Sequence, residues 1–93
     1  MYKVIYYKRF EKSLRILVKD GLKENVQEEI KEVIKIIASG NRLHILYKDH
    51  KLNGEVSAYR ECHIRGDLLL VYQIVKKELV LIVIDIGTHS DLF

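Results

Sequence analysis

The sequence predicts an α+β protein, with an N-terminal strand and a helical hairpin packed on an antiparallel sheet, because its two halves carry different hydrophobic periods. Apolar residues recur at helical spacing up to Gly40, and from Ala58 onward they fill three runs of strand length separated by turn residues. Consecutive hairpins pair antiparallel, and helices that precede them as a block pack on the sheet.

Tyr2 to Tyr6 is a short strand, with Tyr2, Val4 and Tyr6 on one face. The first helix runs from Lys8 to about Asp20. Its apolar stripe is Phe10, Leu14, Leu17 and Val18, and Lys8, Lys12, Arg15 and Lys19 fall within about 60° of one another on the other side. Gly21 supplies the left-handed residue that ends it. A second helix from about Lys23 carries Val26, Ile30, Val33, Ile34 and Ile37 on one face until Gly40, and the two helices form an antiparallel hairpin.

Between Asn41 and Val56 the period disappears and polar residues accumulate, which marks an exposed irregular segment with a short extended piece at Leu43 to Tyr47. Three strands follow: Ala58 to Ile64, Leu68 to Ile74 and Leu79 to Ile86, joined by turns at Arg65-Gly66-Asp67 and Lys76-Lys77-Glu78. The last two are apolar at nearly every position, so both of their faces are covered. In the first, Tyr59, Glu61 and His63 share one face and Ala58, Cys62 and Ile64 the other, which turns His63 away from the core and buries Cys62.

At 93 residues and 48% hydrophobic content, residues 1–93 make one domain that needs no metal or disulfide to close its core. The single cysteine excludes an intramolecular disulfide. No run approaches the roughly 20 apolar residues that span a bilayer, and the first ten residues lack a signal-peptide core, so a cytoplasmic protein with no membrane contact is expected. The net charge of +3 lies wholly in residues 1–40, with nine basic residues against six acids; residues 41–93 hold seven of each. A basic helix face of that kind suits a polyanion such as RNA.

The chemistry concentrates in the last third and the loop before it. His63, Asp67 and His89 leave strand ends, and His50 follows in the loop as Tyr47-Lys48-Asp49-His50. Imidazole gives and takes protons near neutrality. RNA cleavage through the 2′-hydroxyl needs a base, an acid and positive charge for the crowded phosphate. His50, His63, His89 and Asp67 fit the first two roles as a group. Arg60, Arg65 and Lys48 are candidates for the third, and Tyr59 or Phe93 could stack on a base. The spacing shows no compact metal-ligand set such as His-x-x-x-His and no glycine-rich phosphate loop, so no metal and no cofactor are expected.

Tyr47-Lys48-Asp49-His50 with Leu52 and Gly54, Tyr59-Arg60-Glu61-Cys62-His63, Asp67-Leu68-Leu69-Leu70-Val71-Tyr72 and Gly87-Thr88-His89-Ser90-Asp91-Leu92-Phe93 together resemble the YafQ branch of the RelE/ParE superfamily of type II toxin-antitoxin toxins. The resemblance covers the whole chain and implies a RelE-like fold and a metal-independent, ribosome-dependent mRNA endoribonuclease (an mRNA interferase) that inhibits growth. It implies a cognate antitoxin as partner, the ribosome and mRNA as targets, and operator DNA bound through the antitoxin. His50, His63, Asp67, His89 and Phe93 match the motif positions credited with catalysis and substrate positioning. Lys8, Lys12, Arg15 and Lys19 would form the contact surface for ribosome or RNA. Asp85 stands two residues before Gly-Thr-His, where the resemblance implies an arginine for the scissile phosphate. That residue favours the alternative reading, a catalytically weak or inactive module that binds RNA or an antitoxin.

Overall fold

The computed structural model describes residues 1–54 and 58–92. Along the chain lie β1 (Lys3–Tyr6), α1 (Lys8–Lys19), α2 (Glu24–Ala38), a 3-10 turn (Ile45–Tyr47), β2 (His50–Lys51), β3 (Arg60–Arg65), β4 (Leu68–Val75), a second 3-10 turn (Lys76–Glu78), β5 (Val80–Thr88) and α3 (His89–Leu92). The strands form one sheet in the order β1-β5-β4-β3-β2.

Strands β2 to β5 pair antiparallel, as consecutive hairpins do, but β1 pairs parallel to β5, from Lys3 opposite Val80 to Tyr6 opposite Val83. Strands β3, β4 and β5 thus form the antiparallel sheet that the sequence predicts, and β1 joins its edge as a parallel strand. The crossover between Tyr6 and Val80 is long enough for a parallel neighbour, which a tight turn is not.

Helix α1 closes on a Schellman motif: Gly21, at φ +99°, sends its N–H to Val18 O at 3.1 Å, and Leu22 N–H reaches Leu17 O at 2.9 Å. Phe10 is buried, and Leu14 and Leu17 pack against the core. Val18, expected in that apolar stripe, is 41% exposed. It lies at the stripe's margin, turned from the sheet.

The core joins Val26, Ile30, Val33, Ile34 and Ile37 of α2 to Cys62 and Ile64 of β3, Leu70 and Tyr72 of β4 and Leu81, Val83 and Ile86 of β5. Burying side chains of this size contributes about 1.5–3 kcal/mol each before entropy is charged. Cys62 is fully buried, and desolvation, followed by the negative charges of Asp49 and Glu61, pushes its thiol up to about 12. It is a core hydrophobe and not a nucleophile at neutral pH.

The extended piece expected at Leu43 to Tyr47 is absent. Residues Ile45–Tyr47 form the first 3-10 turn, whose opening is capped by His44, with Nδ1 accepting from Leu46 N–H at 3.1 Å. The strand in this region comes later, at His50–Lys51, and is too short to show a period. No described helix is long and apolar enough to cross a membrane.

Candidate functional site

Register builds the site. His50 pairs with Glu61, Glu61 with Val71, and Val71 with Asp85, so four strands contribute one row. The next row on the same face, beyond Cys62, Leu70 and Ile86, is His63, Leu69 and Gly87. Side chains directly opposed on paired strands project to one face, and residues two apart share it. His50, Glu61 and His63 thus stand on the face opposite Cys62 and Ile64, as strand parity predicts for His63.

His50 Nε2 lies 2.9 Å from Glu61 Oε1, and its Nδ1 lies 2.6 Å from the carbonyl oxygen of Lys48. That carbonyl only accepts, so Nδ1 carries a hydrogen. With Nδ1 so occupied, Nε2 is the ring atom that meets the carboxylate, close enough for a proton to pass between the two. The ring of His63 sits 6.2 Å from that of His50, tilted by 37°. Glu61 is only 6% exposed, and its Oε2 is buried with no hydrogen-bond partner among the described residues. A buried carboxylate oxygen left without a donor costs free energy unless a ligand, proton or cation meets it.

One ligand atom from each of His50, Glu61 and His63 falls within 4.8 Å of the others. Two imidazoles and a carboxylate are a common donor set for zinc and other transition ions, with a coordination position left open. Sequence spacing hid this set because its members come from two paired strands, 11 and 13 residues apart by number.

Asp67 and His89 flank the same end of the sheet. Leu68 pairs with Thr88, Asp67 immediately precedes the first and His89 immediately follows the second. Both residues are exposed. Thr88 and Asp91 form a capping box that opens α3, with Thr88 N–H donating to Asp91 Oδ2 at 3.1 Å and Asp91 N–H to Thr88 Oγ1 at 3.3 Å. Gly87 lets α3 fold back closely, since a Cβ there would lie 3.2 Å from Asp91 Cβ. Phe93 lies outside the described residues.

The cations expected to hold phosphate divide. Arg60 lies in the row with Tyr72, on the face away from His63, and donates to both carboxylate oxygens of Asp49 at 3.3 and 3.1 Å. Tyr72 also donates to Asp49, and burial with that bond raises its phenol well above the usual range. Arg60 is thus part of a structural network, and its even spacing from Cys62 already placed it there. Arg65 donates to Glu29 Oε1 of α2 at 2.6 Å, while Tyr47 donates to Glu29 Oε2 at 3.0 Å. Lys48 is exposed beside His50, and Lys8, Lys12, Arg15 and Lys19 are all exposed along α1.

Asp85 does not present the bare carboxylate that its position suggested. It is 7% exposed, with Oδ2 accepting from Arg9 Nη2 at 3.0 Å and Oδ1 from the Ser13 hydroxyl at 2.7 Å and Ile86 N–H at 2.8 Å. Glu61, Arg9 and Ser13 were not singled out from the sequence. The shared parity of Glu61 and His63 was the available signal for the first; Arg9 and Ser13, one helical turn apart, carried none.

The family described as the bacterial toxin YafQ of a type II toxin-antitoxin system matches residues 2–93. Among curated proteins, a YafQ toxin of Haemophilus influenzae is 44% identical over 75 residues, covering 78% of this chain and 72% of its own length. The mRNA interferase toxin YafQ of Escherichia coli is 39% identical over 51 residues, 55% of this chain and 53% of its own. A metal-bound toxin from Helicobacter pylori superposes with TM-score 0.88 at 42% identity, with both chains fully covered. The E. coli DinJ-YafQ complex gives 0.86 at 26% identity, covering 100% of this chain and 99% of that one.

Proposed function

The chain belongs to the YafQ family of type II toxin-antitoxin toxins, and we propose from that premise that it is an mRNA endoribonuclease acting on the ribosome and restrained by a cognate antitoxin. The observation that carries the reading is the His50–Glu61 pair at 2.9 Å with the His63 ring 6.2 Å away. A pair close enough to pass a proton between its members can take the proton of a 2′-hydroxyl or return one to the departing 5′-oxygen. His63 and His89 supply the complementary partner, and Asp67 orients the groups at that end of the sheet. The 2′-oxygen attacks the adjacent phosphorus, the bond to the 5′-oxygen breaks, and a cyclic phosphate and a free 5′-hydroxyl result.

The antitoxin partner is supported by the E. coli relative, which is solved as a complex with DinJ. Lys8, Lys12, Arg15 and Lys19 give α1 an exposed basic face suited to ribosomal RNA. The rival reading, a module that only binds, rested on Asp85; the ion pair with Arg9 removes the isolated charge behind it.

A metal ion at His50, Glu61 and His63 is the second reading that a specific observation favours. The donor atoms converge, Glu61 Oε2 lacks a partner, and a Helicobacter pylori relative is described as metal-bound. When bound, such an ion would act as a Lewis acid and engage the imidazoles otherwise available for proton transfer.

Mapping 5′ ends of transcripts after induction of the chain tests the proposal. Discrete cuts in ribosome-associated messages are expected, absent with His63→Ala and with His89→Ala. Uncut transcripts under growth arrest would overturn the nuclease reading.

A further inference from the structure

Resting on the nuclease reading above, we propose that Arg9 seats a phosphodiester of the single-stranded RNA substrate, and that the buried Asp85 is the residue that positions it. Arg9 spends one nitrogen on Asp85, and its side chain remains 69% exposed while that of Asp85 is 10% exposed. A guanidinium has five N–H donors in a planar fork matched to phosphate oxygens. Among the described residues, Asp85 alone takes a hydrogen bond from it.

Stability does not account for this arrangement. An ion pair with one partner so exposed contributes little, and taking the carboxylate out of water opposes folding. Asp85 is nevertheless fully satisfied, by Arg9, by Ser13 one turn further along α1 and by Ile86 N–H. The result is a surface arginine tethered from beneath at one nitrogen. Fixing a long side chain before binding lowers the entropy cost of using it.

The place is also the right one. Asp85 shares its row with Val71, Glu61 and His50. Two strand spacings, roughly 10 Å, separate the backbones of Asp85 and Glu61. Between them lie Val71 and Leu69, buried and apolar. Arg9 therefore stands at the Asp85 end of that row and His50 at the other, with Val71 buried between, and an RNA strand passing over the row would place a phosphate at each end. Lys8 and Lys12, exposed on the same helix, extend positive charge beside Arg9.

The test uses the full chain and a 2′-deoxy oligonucleotide that cannot be cleaved, with binding followed by fluorescence anisotropy over a range of salt. Arg9→Ala is expected to weaken binding about ten-fold and to lower the slope of log K against log salt by about 0.7, the loss of one phosphate contact. Arg9→Lys should keep the slope and recover part of the affinity. Asp85→Asn should weaken binding with no fall in slope, because the cation remains but is no longer held. Thermal unfolding of each variant separates these effects from folding. Wild-type affinity and slope in Arg9→Ala would overturn the proposal, as would a loss that Arg9→Lys does not relieve. Because the probe is uncleavable, uncut transcripts would sink the nuclease reading without deciding this one.

Discussion

His50 and Glu61 face each other across the β2–β3 pair with Nε2 and Oε1 2.9 Å apart, although β2 is only two residues long. The shortest strand of the sheet therefore carries one half of a pair whose other half, Glu61, is buried. In the proposed cut the two exchange a proton, and a change on either side acts on it.

Glu61→Gln preserves volume and hydrogen-bonding capacity but cannot exchange that proton. RNA cleavage should fall by about 10²-fold or more, the usual weight of a positioned acid or base, while the unfolding midpoint moves little. Single-turnover cleavage alongside a thermal melt checks it. Cleavage within two-fold of wild type would remove Glu61 from the chemistry.

Zn²⁺ or Cu²⁺ should bind with one-to-one stoichiometry, and His63→Ala should weaken it by about 10-fold or more through loss of a ligand. Calorimetric titration reads the binding directly. Cleavage should fall as the site fills and recover with a chelator, because the ligand atoms and the proton-transfer atoms are the same. Metal affinity unchanged in His63→Ala would place any bound ion elsewhere.

The Cys62 thiol, raised to about 12 in the fold from 9.0, links stability to pH with a definite sign. Above pH 9 the unfolded chain sheds this proton more readily than the folded one, so stability is complete below pH 9 and declines as pH rises toward 12. Two pH units correspond to about 3 kcal/mol. Denaturant unfolding at increasing pH should show a downward slope that Cys62→Ala flattens, at the cost of a smaller core. Equal slopes in the two proteins would contradict the assignment.

Gly87→Ala would put a methyl group about 3.2 Å from Asp91 Cβ and require α3 to give by a few tenths of an ångström. Its displacement carries His89 with it. Cleavage should drop further than the melting temperature suggests, whereas Asp91→Ala, which removes half of the capping box, should fray α3 and give a milder loss. A Gly87→Ala protein with full cleavage would show that His89 need not be held there.

Strand parity alone sorted β3, putting Cys62 and Ile64 in the core and His63 outside, and turn residues marked Gly21 and Gly66 correctly. The two α helices and three long strands were legible for the same reason: each repeats its period several times. Register between distant strands is not written in spacing, which is why the approach of His50 to Glu61, the parallel partner of β1 and the 76-residue separation between Arg9 and Asp85 needed coordinates. From the sequence, Asp85→Arg promises raised cleavage, since an arginine there would meet the scissile phosphate. In the fold it would set one guanidinium against another and leave Ser13 without its acceptor, so the change is expected to reduce folding and cleavage together.

The parallel partnership of β1 with β5 also sets the order in which the sheet can close during synthesis. While the chain is being made, Lys3 to Tyr6 have nothing to zip against until Val80 to Val83 have left the exit tunnel. β5, the last of the described strands, lies between β1 and β4 in the sheet, and the helix bearing His89 comes directly after it. Until β5 emerges, β1 lacks its partner and the row from His50 to Asp85 lacks its last member, a delay built into the topology of a long-range parallel pair.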